Sequence, residues 1–95
     1  MTKESKLQTT VIKWLRNQGF YVIKHNAGAG VPVGCPDLSF YIEGMYGFIE
    51  VKATSKSPYQ ALQKETIEKL DEWSYARIVH ENNWQDIKKE LETFL

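Results

Sequence analysis

The sequence predicts an α/β domain in which helices flank a mixed β-sheet. Three observations carry that prediction. Apolar residues recur at helical spacing near both ends of the chain, and four short segments are rich in β-branched and aromatic residues. A capped helical stretch separates the third and fourth of these segments and is long enough to bring the chain back to a parallel neighbour. No internal repeat or low-complexity linker interrupts the pattern, so residues 1–95 read as one domain.

The elements follow in order. From about Glu4 to Gln18, Leu7, Val11, Trp14 and Leu15 fall at i, i+4, i+7 and i+8, one face of a helix that Gly19 stops. Phe20 to His25 reads as a strand, and Asn26 to Pro36, with three glycines and two prolines, as a loop. Asp37–Ile42 and Phe48–Lys52 read as an antiparallel hairpin joined by the five residues Glu43 to Gly47. Ser57-Pro58-Tyr59-Gln60 has the form of a capping box with proline at the first helical position, opening a helix that runs to about Trp73. The apolar stretch Ala76–His80 is the fourth strand. Asn82 or Asn83 then caps a last helix whose Trp84, Ile87, Leu91 and Phe94 share a face.

Composition narrows the function. With 42% hydrophobic and 25% charged residues the chain is globular in character, and its size excludes a multidomain enzyme. The lone Cys35 forms no internal disulfide, and there is neither a signal peptide nor an apolar run near the ~20 residues that span a bilayer. A cytoplasmic protein without membrane association is expected. The net charge is zero, yet eight basic residues stand against four acidic ones in residues 1–64, and the balance reverses over 65–95. A polyanion is therefore expected to approach the N-terminal two thirds, although solvated acidic faces on the last two helices explain the same asymmetry.

The stretch that carries chemistry is Gly34-Cys35-Pro36-Asp37 followed, after twelve residues, by Glu50-Val51-Lys52. On paired strands, Asp37 opens one and Glu50 and Lys52 lie two apart on the other, so the latter two share a sheet face. Ionisable groups on the packed face of so small a core call for a metal or a phosphate. Two carboxylates reaching a common point offer hard oxygen ligands to Mg²⁺, and the adjacent ammonium of Lys52 can orient a water and offset charge developing on a phosphate. The plainer alternative is that Asp37 is a turn residue and that Glu50 and Lys52 form an exposed cross-strand ladder.

These residues, in this order of elements, resemble the PD-(D/E)xK nuclease superfamily. The sequence is more closely similar to its VRR-NUC branch through the helix ahead of Gly19, the segments Val33–Leu38 and Phe48–Lys52, and Ser57-Pro58 leading to Gln63-Lys64. The resemblance implies a restriction-endonuclease-like α-β-β-β-α-β core with a mixed central sheet, plus a C-terminal helix. It implies metal-dependent hydrolysis of DNA, with Asp37, Glu50 and the Val51 carbonyl as ligands of Mg²⁺ (or Mn²⁺ in its place) and Lys52 beside the attacking water. It also implies a homodimer acting on branched DNA such as four-way (Holliday) junctions or flaps, and no organic cofactor. Short stand-alone members are typically viral or bacterial, which for a phage protein means the host-cell cytoplasm. A non-catalytic DNA-binding module, or a subunit of a larger repair complex, that keeps the nuclease fold is the alternative.

The family places a polar helix residue against the metal site. Gln63 fits better than Gln60, because it lies four and seven residues before Ile67 and Leu70 and shares their inward face. Glu4 resembles a helix-one acid that reaches the metal through water; it equally suits the positive end of the helix dipole. Lys24, His25, Asn26, Lys56 and Lys64 are the candidate contacts to the DNA backbone. His25, His80 and Cys35 match no zinc spacing, and Cys35 reads as a small filler beside the active-site strand rather than a nucleophile. Trp14, Trp73 and Trp84 occupy apolar helical positions, which assigns them to the core or to a dimer surface.

Overall fold

A computed structural model describes residues 1–26, 28–58 and 61–95. Its elements are α1 (Lys3–Asn17), β1 (Tyr21–Lys24), β2 (Leu38–Ile42), β3 (Met45–Val51), α2 (Ala61–Trp73), β4 (Tyr75–Val79) and α3 (Trp84–Glu92), the predicted order. The sheet runs β1-β2-β3-β4, antiparallel across the first two pairs and parallel between β3 and β4. α2 is the crossover that makes the parallel pair possible.

Alternation along the strands divides the sheet into two faces. On one, Val22, Phe40, Ile49, Val51 and Val79 pack with Val11 and Leu15 of α1 and with Trp84, Ile87 and Leu91 of α3, all of them buried. Trp14 is half-buried against this core, its ring edge-to-face with Trp84 at 5.6 Å between centroids. The other face is covered by α2 over β3 and β4, with Ile67 buried beneath the helix. Trp73, at the end of α2, is 63% exposed and is not part of the core.

Two local expectations change. The hairpin turn is the two residues Glu43-Gly44, with Gly44 at φ 79°, rather than the five from Glu43 to Gly47. Met45, Tyr46 and Gly47 belong to β3 and pair with Ile42, Tyr41 and Phe40. Gly47 is a point of close approach and not a turn residue, since a Cβ there would lie 2.3 Å from Phe40 Cζ and 2.8 Å from the Tyr75 carbonyl oxygen. Asn83 occupies the N-cap position of α3 without capping it: its carboxamide accepts from the His80 N–H at 2.8 Å and donates to the Ile78 carbonyl at 2.9 Å. The Tyr59-Gln60 half of the expected capping box lies outside the described residues; on its other side the Ser57 hydroxyl accepts from the Thr54 N–H at 3.0 Å. No described helix is long and apolar enough to cross a membrane.

Candidate active site

Asp37 directly precedes β2, and Glu50 lies near the end of β3, its partner strand. Each is held by the other's strand. The Asp37 N–H donates to Glu50 Oε1 at 3.1 Å, and the N–H of Val51 donates to Asp37 Oδ2 at 2.9 Å. In an extended strand a residue's N–H and C=O point the same way, so the Val51 carbonyl is directed toward the Asp37 side as well. Glu50 faces α2 and is only 2% exposed. Its second oxygen accepts from Gln63 Nε2 at 3.1 Å and stands 3.5 Å from Lys52 Nζ, which donates in turn to Gln63 Oε1 at 3.2 Å.

The electrostatics of this cluster are out of balance. Burial and the neighbouring charge of Asp37 push the Glu50 carboxyl from an ordinary 4.5 up to about 7, against the opposing pull of Lys52. Two carboxylates fixed in one place, one of them desolvated, make a site that a small divalent cation would relieve, and their hard oxygens suit Mg²⁺ or Mn²⁺. The residues present therefore fit such an ion. Cys35 sits beside them with its thiol donating to the Pro36 carbonyl at 3.5 Å. Burial, then the fields of Glu50 and Asp37, raise its pKa, which keeps it a neutral thiol and a poor nucleophile.

In front of Asp37 lies an open cleft of about 380 Å³, lined by His25, Asp37 and Gln63 together with Gly28 and residues 31–35. Gly34 closes its floor at φ 85°, where a Cβ would press on Leu62 of α2 at 2.9 Å. The His25 N–H donates to the Asp37 carbonyl at 2.7 Å, and its Nε2 is paired with Ser39 Oγ at 2.7 Å. Tyr41 Oη donates to the same hydroxyl at 3.1 Å. Sequence reading passed over Ser39 and Tyr41; the signal was their spacing, two and four residues after Asp37, which returns them to its sheet face.

Asp37, Gln63 and His25 thus line the cleft, and Glu50 and Lys52 are joined to them behind it through the Asp37 N–H and the Gln63 carboxamide; Lys52 itself lines an adjoining hollow with Thr54, Ser57 and His80. Lys24 and Asn26 are exposed on either side of His25. Lys56 is exposed in the turn after β3, its N–H bonded to Thr54 Oγ1 at 3.2 Å. Lys64 lines a separate hollow with Ile67, Glu68, Asp71 and Arg77, on another side of α2 from Gln63. Glu4 is exposed in the first turn of α1, and among the described residues no group of three acidic, histidine or cysteine side chains is gathered to hold a metal. The carboxylates at the centre are the pair Asp37 and Glu50.

Comparison with known proteins gives two findings. A family model described as an archaeal Holliday junction resolvase matches residues 2–93. A solved structure described as a VRR_NUC domain is similar in fold, with a TM-score of 0.76 and 22% sequence identity over 100% of both chains. No curated protein matches the chain.

Proposed function

The chain belongs to the archaeal Holliday junction resolvase family, with the fold of a VRR-NUC nuclease domain, and from this premise we propose that it is a divalent-metal-dependent endonuclease that cuts branched DNA. The observation that carries the proposal is the mutual anchoring of Asp37 and Glu50, each carboxylate fixed by a backbone N–H of the opposite strand beside an open cleft.

Asp37, Glu50 and the Val51 carbonyl are the proposed ligands. An ion held there supplies Lewis acidity, activating water and polarising a phosphoryl oxygen. The chain's own groups do the rest. Gln63 locks Glu50 and Lys52 together through one carboxamide, donating to the first and accepting from the second. That leaves the Lys52 ammonium placed to donate to the attacking water and to offset charge on the scissile phosphate. His25 holds the cleft wall next to Asp37, and Lys24, Asn26, Lys56 and Lys64 contact phosphates without reading sequence.

A homodimer is the proposed assembly. Single DNA-binding modules bury about 600–1,000 Å², and two copies related by a twofold axis set two active sites on opposed strands of a four-way junction. Trp73, exposed on α2 with Lys69 Nζ 5.2 Å from its ring centroid, is the proposed apolar contact between copies.

The test is cleavage of labelled four-way junction, flap, nicked duplex, linear duplex and single strand in Mg²⁺, Mn²⁺ or EDTA. Metal-dependent cutting of the branched substrates, lost in Asp37→Ala and Lys52→Ala, is the expected result. Wild-type protein that binds DNA in a salt-dependent manner and never cuts it replaces the proposal with a non-catalytic binding module.

A further inference from the structure

The sheet face that carries Asp37 and Glu50 does not end at the cleft. Toward the far end of the same face, Tyr21 pairs with Tyr41 and Tyr41 with Tyr46 across three adjacent strands. The three tyrosines form one cross-strand row and are 69%, 39% and 41% exposed. α2 packs on β3 and β4, so the helix layer leaves β1 and β2 open, and Tyr46 is exposed near the start of β3. The rings of Tyr21 and Tyr41 are tilted by 59° with centroids 6.2 Å apart, so neither is stacked on the other.

The row is joined to the active site. Strand geometry sets Tyr41 four residues, ~13 Å, from Asp37 on the same face, and Ser39 between them takes the Tyr41 hydroxyl on one side and the His25 ring on the other. A row of aromatic rings on an open sheet face is a stacking surface for bases, and it tolerates any sequence because every base has a π-face. Continuous duplex keeps its bases stacked inside the helix and offers none of them to such a surface. At 3.4 Å per nucleotide along a strand, ~13 Å is about four stacked nucleotides.

We infer that the row Tyr21, Tyr41 and Tyr46 is a stacking platform for unpaired bases at the branch point of a DNA substrate, about four nucleotides from the phosphate that is cut. The inference rests on the nuclease reading and adds the feature that tells branched DNA from duplex. A second copy of the chain is the competing occupant of this face. The continuity of the row with the cleft through Ser39 and His25 favours DNA, since a subunit seated there would crowd the approach to Asp37.

The experiment measures binding in EDTA, so that it stands whether or not the protein cuts. Tyr21 and Tyr46, which lie outside the hydrogen-bonded chain to His25, are changed singly to Phe and to Leu. The probe is a four-way junction with 2-aminopurine in place of a base at the branch, beside linear duplex of the same length. Phe variants are expected to bind as wild type and to quench the probe. Leu variants are expected to lose roughly fivefold to a hundredfold in junction affinity, with the quenching, while duplex affinity is unchanged. Sedimentation and thermal unfolding of each variant run alongside. Leu variants that bind the junction as well as the Phe variants overturn the inference, as does equal loss on junction and duplex. Loss of dimer in place of loss of stacking assigns the face to the second copy. Absence of any cutting by wild-type protein refutes the parent reading without altering the binding result.

Discussion

The Asp37 N–H donates to Glu50 Oε1 while Asp37 Oδ2 accepts the N–H of Val51, the residue after Glu50, so two carboxylates that repel each other are locked in place by each other's strands. The backbone bonds hold position, and the charges are what the proposal assigns to the metal. Asp37→Asn separates the two roles, because a carboxamide oxygen can still accept from Val51. Cleavage is expected to fall by at least about 10²-fold, while the fold persists. Stability in EDTA at pH 8 should rise, because Glu50 loses a repulsive neighbour. Cleavage rates and thermal midpoints of wild type and variant check this.

Stability should also depend on pH through Glu50. Its carboxyl is held at about 7 against an ordinary 4.5, so between those values the folded state binds a proton that the unfolded chain has lost. The stabilising contribution is complete below 4.5, declines as pH rises through about 7, and is gone above it. For a fully realised shift this amounts to on the order of 3 kcal/mol. Metal-free wild type is expected to melt lower at pH 8 than at pH 5, and Glu50→Gln to flatten that dependence. Mg²⁺ or Mn²⁺ should restore wild-type stability at pH 8 and do little for Glu50→Gln. Melting curves across pH 4.5–8.5 with and without metal decide it; a wild-type curve insensitive to both would contradict the site.

Gln63 is the brace between the Glu50 carboxyl and the Lys52 ammonium. Gln63→Leu keeps the volume beside Ile67 but removes the donor to Glu50 Oε2 and the acceptor for Lys52 Nζ. Leaving a buried carboxylate short of a donor costs about 1–3 kcal/mol. A displaced Lys52 is expected to lower the cleavage rate by up to about 10²-fold. The effect should fall on kcat more than on KM, because the proposed phosphate contacts lie on other residues. A KM rise with unchanged kcat would instead make Gln63 a DNA-contacting residue.

Much of this was legible in the chain. Helical spacing placed α1 and α3, and the strand period put Glu50 and Lys52 on one face with Gln63 turned toward them, because these features depend on local periodicity alone. What escaped depends on particular packing and hydrogen-bond partners, which periodicity does not specify. Gly47 looks like turn punctuation until Phe40 is seen against it, and the Asn83 carboxamide is drawn from the helix to the β4 end by Ile78 and His80. The open corner over Tyr21 and Tyr41 could not be read either, since no local pattern says how far α2 extends across the sheet.

Trp73 carries the last prediction. An apolar helical position predicts core or subunit contact, and 63% exposure in the single chain excludes the core. Burying a tryptophan between copies contributes on the order of 2–3 kcal/mol, enough to decide whether a small dimer forms at micromolar concentration. Trp73→Glu, which replaces the exposed apolar ring by a charge within reach of Lys69 of the same helix, is expected to give a monomer by sedimentation equilibrium. It should nick single strands of a four-way junction and lose the paired cuts that two coupled sites make. A Trp73→Glu protein that remains dimeric and cuts in pairs would place the contact on another surface.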